Sequence, residues 1–108
     1  MNMKAIDLLS DVIPTIHKDD TGTMALNRMD VFKVSHLPIV DNTDYLGLIS
    51  DAEIFDMQNP DAPIMQQQHV LARPFVYDDK HIFEIMTLLS KSSISVVPVL
   101  DYEDKYLG

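Results

Sequence analysis

The sequence predicts an α+β fold, an α/β-type sheet carrying helices, built from two copies of a β-α-β-β-α unit. Three observations predict it: an internal repeat, apolar stripes of helical period that follow acidic turns, and short apolar strands separated by polar turns. Pro14 recurs as Pro74, Pro38 as Pro98, Asp41 as Asp101 and Asp44 as Asp104, each 60 residues on. Leu46-Gly47 recurs as Leu107-Gly108, 61 residues on, so one residue is inserted in a turn, where insertion costs least. Apolar character keeps the same phase: Ile16 with Val76, Met29 with Leu89, Val34 with Ile94, and Leu37-Pro38-Ile39-Val40 with Val97-Pro98-Val99-Leu100. A repeat of fixed period sets the architecture before any single element is assigned.

The elements follow in order. A short helix is expected near residues 3–9. Thr15-Ile16 and Phe75-Val76 read as short extended pieces after a Pro, which favours extended neighbours. The turns Asp19-Asp20-Thr21 and Asp78-Asp79 supply N-cap candidates and negative charge at a helix start. Ile82, Phe83, Ile85, Met86 and Leu89 then form one helical stripe, and Met24, Ala25, Met29 and Phe32 a weaker one. An apolar strand, an Asp-rich turn and a second strand ending in Leu46-Gly47-Leu48-Ile49 come next, followed by a short helix over residues 50–57. This divides the chain into a first unit at 1–57, with the N-terminal helix, a connector at 58–70 and an incomplete second unit at 71–108.

Composition excludes several classes. The 108 residues suffice for one module, and charges or Pro interrupt every apolar run well before the ~18 residues of a membrane helix. The start lacks the basic-then-apolar order of a secretory leader, and there is no Cys, so the expected location is the cytoplasm. Eight basic against 17 acidic residues leave a net charge of −9, which opposes nucleic-acid binding and disfavours small polyanions unless a local cradle overcomes it. An enzyme is not expected: no Cys nucleophile, no Gly-rich phosphate loop and no hydrolase-type Ser elbow is present.

Ser35-His36-Leu37-Pro38-Ile39-Val40-Asp41, Leu46-Gly47-Leu48-Ile49-Ser50 and Val96-Val97-Pro98-Val99-Leu100-Asp101, in duplicate order, resemble a tandem cystathionine-β-synthase (CBS) domain pair, or Bateman module. The resemblance covers nearly the whole chain. It implies two CBS repeats packed through their sheets about a pseudo-twofold axis, a regulatory role without catalysis, and self-association into flat homodimers. It also implies a cleft for an adenosine-containing ligand such as AMP, ADP, ATP or S-adenosylmethionine, with no other cofactor. The family's motif, Gly-apolar-apolar-Thr/Ser-x-x-Asp, falls on Gly47, Leu48, Ile49, Ser50 and Glu53, with the hydroxyl meant for phosphate and the acid for ribose. The adenine is expected against Thr15, Ile16, His17, His36, Leu37 and Pro38.

Three departures stand beside that pattern. Glu53 replaces the shorter Asp, no basic residue lies between Lys33 and Arg73, and the second copy reaches Gly108 before its own motif. The last point predicts an open sheet edge and an exposed apolar patch, covered by further chain or by a partner in a symmetric dimer. Structural roles compete too. Ser50-x-x-Glu53 is also a capping box, and a Glu53 folded back as a cap cannot hold a ribose. His17, His36, His69 and His81 lack metal-ligand spacing, Met24, Met29 and Met86 read as core filler, and Pro38 and Pro98 as strand stiffeners. A ligand-free dimerisation scaffold is therefore the alternative function.

Overall fold

The computed structural model describes residues 3–10, 13–66 and 71–108; His69 lies outside them. The first half is a hairpin flanked by helices. Helix α1 (Gly22–Phe32) starts at Thr21, whose hydroxyl accepts the Met24 N–H at 3.1 Å, and stops at Lys33, which takes φ 58°. Strands β1 (His36–Asp41) and β2 (Asp44–Ser50) pair antiparallel through a turn in which Asn42 has φ 57°. Ile16 extends the sheet by pairing parallel with Ile39, and Ala72 extends the other edge by pairing antiparallel with Leu48. Helix α2 (Asp51–Phe55) closes the unit.

The second half repeats this plan in phase. Strand β3 (Val76–Tyr77) runs parallel to β4 (Val99–Leu100), with helix α3 (Ile82–Ser92) between them and Tyr106 antiparallel to Leu100. The left-handed residues repeat as well: Lys33 by Ser93 after the long helices, 60 residues on, while each turn holds one of its own, Asn42 and Asp104 (φ 63°), 62 residues apart. Only a short polar or flexible side chain tolerates such turns cheaply, which is why Asn and Asp stand there. The duplication inferred from apolar phase is thus also a duplication of backbone conformation.

Two segments are exchanged between the halves. The N-terminal 3-10 helix (Ala5–Leu8), grouped above with the first unit, docks on the second: Ala5 N–H bonds the Lys80 carbonyl at 2.8 Å, and Lys4 pairs with His81. The 3-10 helix Ile64–Gln66, read as connector, docks reciprocally on the first: Ile64 N–H bonds the Asp20 carbonyl at 2.9 Å, and Thr21 pairs with Pro63. Both lead residues, Ala5 and Ile64, are fully buried. Each half is completed by the segment that precedes the other in sequence.

The cores differ in size. Ile16, Ala25, Met29, Leu37, Ile39, Ile49, Ile54 and Ile64 form one cluster, whereas the cluster of the second half holds Ala5, Val76 and Val99 among the described residues, with Pro98 and Leu100 buried beside it in sequence. Several expectations change here. Helix α3 has two adjacent apolar stripes and only one can face the sheet: Ile85 and Leu88 pack inward, while Phe83 and Met86 are 70% and 56% exposed. Met24 is likewise 40% exposed, so of the three Met expected in the core only Met29 is there. The cap of α3 is His81, whose Nδ1 accepts the Phe83 N–H at 3.2 Å, not Asp78 or Asp79.

Repeat-equivalent residues touch one another across the halves. Ser35 Oγ lies 3.3 Å from Ser95 Oγ, and the Tyr45 and Tyr106 rings are 6.2 Å apart. A residue meets its own equivalent only near a twofold axis, so these pairs trace the approximate dyad. Burial pushes both tyrosine hydroxyls above their ordinary range; at Tyr45 the Arg73 guanidinium partly opposes the rise. The Tyr45 hydroxyl donates to the Pro74 carbonyl at 2.8 Å, and Lys105 Nζ meets Asp44 at 3.1 Å at the rim.

Candidate functional site

Strand β2 delivers the motif. Gly47 is required by close approach of chain: a Cβ there would stand 2.8 Å from Leu71 Cβ and 3.0 Å from the Ala72 carbonyl. Three residues on, Ser50 leaves the strand in extended conformation and caps α2. Its Oγ accepts the Glu53 N–H at 3.1 Å, and Glu53 Oε1 accepts the Ser50 N–H at 3.1 Å and the Ser50 hydroxyl at 3.0 Å. The capping box is therefore formed, with Glu53 turned back over the helix start. The Asp51 N–H bonds the Ser35 carbonyl at 3.0 Å and the Ala52 N–H the Asp51 Oδ1 at 2.7 Å. Every backbone donor from Ser50 to Glu53 has an internal acceptor.

His36 stands opposite Ser50 in the β1–β2 register. Its Nδ1 lies 3.0 Å from Ser35 Oγ and 3.1 Å from Ser95 Oγ, and it receives the Ser95 N–H at 3.4 Å. Accepting that N–H requires the Nδ1 lone pair, so the proton of the neutral ring sits on Nε2. This knot links β1, the strand paired with β2, to the second half.

The other expected residues are distributed differently. Ile16 and Leu37 are fully buried in the first core, where a ligand reaches their backbone at most. The Ile16 amide and carbonyl are themselves engaged, by the Pro38 carbonyl and the Val40 N–H, both at 2.9 Å. Thr15 offers its carbonyl to Arg28 Nη1 at 2.8 Å. His17 turns to Asp41, 3.6 Å from its Nε2, at the opposite end of β1 from His36, roughly 16 Å away at about 3.3 Å per residue. The structure thus gathers Ser50, Glu53 and His36 and separates His17 from them.

Three residues of this neighbourhood went unnoticed in the sequence. Ser35 and Ser95 had a signal, since they recur in phase 60 residues apart. Arg28 had a weaker one, a lone cation in the Ala25–Met29 stripe; it bridges the Thr15 carbonyl and Asp20 Oδ2, 3.3 Å away. Two hollows are present, and neither Ser50 nor Glu53 lines them. A cleft of about 240 Å³ runs between the halves, lined by apolar side chains including Leu9, Ile13, Pro38, Leu89 and Val97. Beside α2 lies a shallower, more open one of about 350 Å³, lined by Leu26, Met29, Asp30, Lys33, Val34, Asp51 and Phe55. Among the described residues no group of three His, Cys, Asp or Glu could hold a metal ion, and no helix is long and apolar enough to cross a membrane.

Comparison with known proteins agrees with this architecture. The sequence profile of the CBS domain family matches residues 5–59. An inosine-5'-monophosphate dehydrogenase of Methanocaldococcus jannaschii is 30% identical over 105 residues, covering 94% of this chain and 20% of that enzyme. The chain thus spans about a fifth of that relative's length. A CBS domain pair/ACT domain protein from Thermotoga maritima superposes with a TM-score of 0.84 over 98% of this chain and 87% of that one, at 19% identity. CBSX2, solved in complex with AMP, superposes with a TM-score of 0.76 over 97% of this chain and 87% of that one, at 18% identity. With a two-half α+β fold, a dyad traced by equivalent residues and a matching profile over half its length, the chain belongs to the CBS domain family, a family of regulatory modules.

Proposed function

We propose that this chain is a regulatory module that takes an adenosine-containing ligand at the end of β2 and answers with a shift in how its halves pack. One observation carries this reading: Ser50 and Glu53 sit beside His36, whose imidazole is bonded to Ser95 of the other half. A ligand seated there contacts both sides of the dyad, and it shifts their packing by as much as its affinities for two packings differ. The AMP complex of CBSX2 supports an adenosine ligand by analogy of fold. Glu53 must swing away from Ser50 to accept ribose hydroxyls, so binding opens the capping box. Calorimetry with AMP, ATP and S-adenosylmethionine tests the reading. Heat that disappears in Ser50→Ala is the expected result; no heat with any of the three, on folded protein, overturns it.

The closed capping box favours a second reading, a ligand-free scaffold that works by self-association. Phe83 and Met86 on α3, and Val31 and Phe55 at 71% and 72% exposure, supply apolar surface for a second copy. Sedimentation separates the two: the scaffold gives a dimer indifferent to nucleosides, the sensor a heat of binding whatever its oligomeric state.

A further inference from the structure

We propose that His36 is a proton-operated latch between the halves: on taking up a proton, its ring releases the Ser95 N–H and loosens the packing across the dyad. The device needs no ligand and goes beyond the adenosyl reading. Ser35 and Ser95 meet near the dyad, and each amide finds its acceptor on the other half. The Ser35 N–H bonds Ser95 Oγ at 3.4 Å, a hydroxyl that accepts whatever the pH. The Ser95 N–H bonds His36 Nδ1 at 3.4 Å, an acceptor only while the ring is neutral. The repeat makes the asymmetry plain: 60 residues after His36 stands Val96, which has nothing to titrate.

A proton on Nδ1 turns this acceptor into a donor. The new N–H can turn to Ser35 Oγ at 3.0 Å or Ser95 Oγ at 3.1 Å, but the Ser95 amide then loses its acceptor and faces a positive ring. Glu53 and Asp51 are the carboxylates on the elements beside His36. Glu53 is folded onto Ser50, opposite His36 in the register, and Asp51 onto the Ala52 N–H. From the second half the facing residue is Ser95, which is uncharged. Among the described residues no ion pair includes His36, whereas His17 has Asp19 at 3.5 Å and Asp41 at 3.6 Å to share its charge. His81 accepts an N–H of its own helix, not one across the dyad. The latch therefore closes toward the upper end of the histidine range, about pH 5 to 8, and opens toward the lower.

The test is an NMR titration of the intact chain across that range, following the His36 ring and the backbone amides. The Ser95 amide signal should move with the midpoint of the His36 ring, and the Tyr45 and Tyr106 ring signals, on the same dyad, should move with it. Hydrogen exchange at the Ser95 amide, corrected for the pH dependence of free peptide, should rise about tenfold as the bond is lost. In His36→Asn, whose side-chain carbonyl accepts the same N–H without taking up a proton, these changes should vanish while those that follow His17 and His81 remain. A Ser95 amide indifferent to ring protonation overturns the latch, as does a response that survives in His36→Asn. A response confined to Ser95 overturns it too, because the packing at Tyr45 and Tyr106 then stays unchanged. Should the variant not fold, agreement or disagreement of the wild-type midpoints decides alone.

Discussion

The two halves carry the same pattern but do not bury it equally. In the first, α1 is sealed by α2: Ile54 is 1% exposed and joins Ala25 and Met29 in a core of eight buried residues. In the second, α3 has no fully buried residue, and the positions equivalent to Ala25 and Met29, Ile85 and Leu89, line the cleft between the halves. The lesson is that a stripe of apolar residues predicts a buried face only where something covers it. Residues of like hydropathy lie beneath α2 in one half and in an open hollow in the other.

Substitutions can break this contrast. The largest effect is expected at Ile54: Ile54→Ala should cost about 2–5 kcal/mol in urea unfolding, while Phe83→Ala on the exposed face of α3 should stay within about 0.5 kcal/mol. Equal losses would show that the halves are equally packed. Gly47→Ala comes next at about 1–3 kcal/mol, because its Cβ meets the chain at Leu71 and Ala72 and that chain cannot move without losing the Leu48–Ala72 pairing. Ser50→Ala removes the cap of α2 and should cost about 0.5–2 kcal/mol by thermal melting, more than Ser95→Ala on the opposite side of the dyad. Lys105→Ala, which breaks an exposed ion pair with Asp44, should change stability by about 1 kcal/mol or less.

One further contrast is silent at neutral pH. All four tyrosine hydroxyls are held above their ordinary value of 10.0: Tyr45 and Tyr106 first by burial, Tyr77 first by its bond to Asp104, and Tyr102, pushed up to about 12, by its bond to Asp79. The folded state favours the neutral phenol, so this stabilisation is complete below pH 10 and lost as pH climbs through and beyond 12. Tyrosinate absorbance should lag the behaviour of free tyrosine and rise together with loss of the circular dichroism signal. Independent titration near pH 10 in folded protein would contradict the geometry around Tyr45 and Tyr102.

Much of the fold was legible in the residues, and the reasons are local. The 60-residue phase located both long helices, each of 11 residues, and the Asp-rich turns in which Asn42 and Asp104 stand. Ser50-x-x-Glu53 announced its capping box, since both partners lie within one helical turn. The candidate site was legible only at Ser50, Glu53 and His36. Its division came from pairing: nothing local to His17 says that its side chain meets Asp41 rather than the far end of the strand.

By itself, then, the chain determined its duplication, its helix starts and the acidity of its motif, because these depend on neighbours within a few residues and on composition. Tertiary structure decided that residues 5–8 and 64–66 complete each other's half, that Ser35 meets Ser95 and Tyr45 meets Tyr106, and which apolar stripe of α3 turns inward. Those contacts join chemically ordinary residues far apart in sequence. What selects them is the fit of whole surfaces across the dyad, which no single stretch of chain encodes.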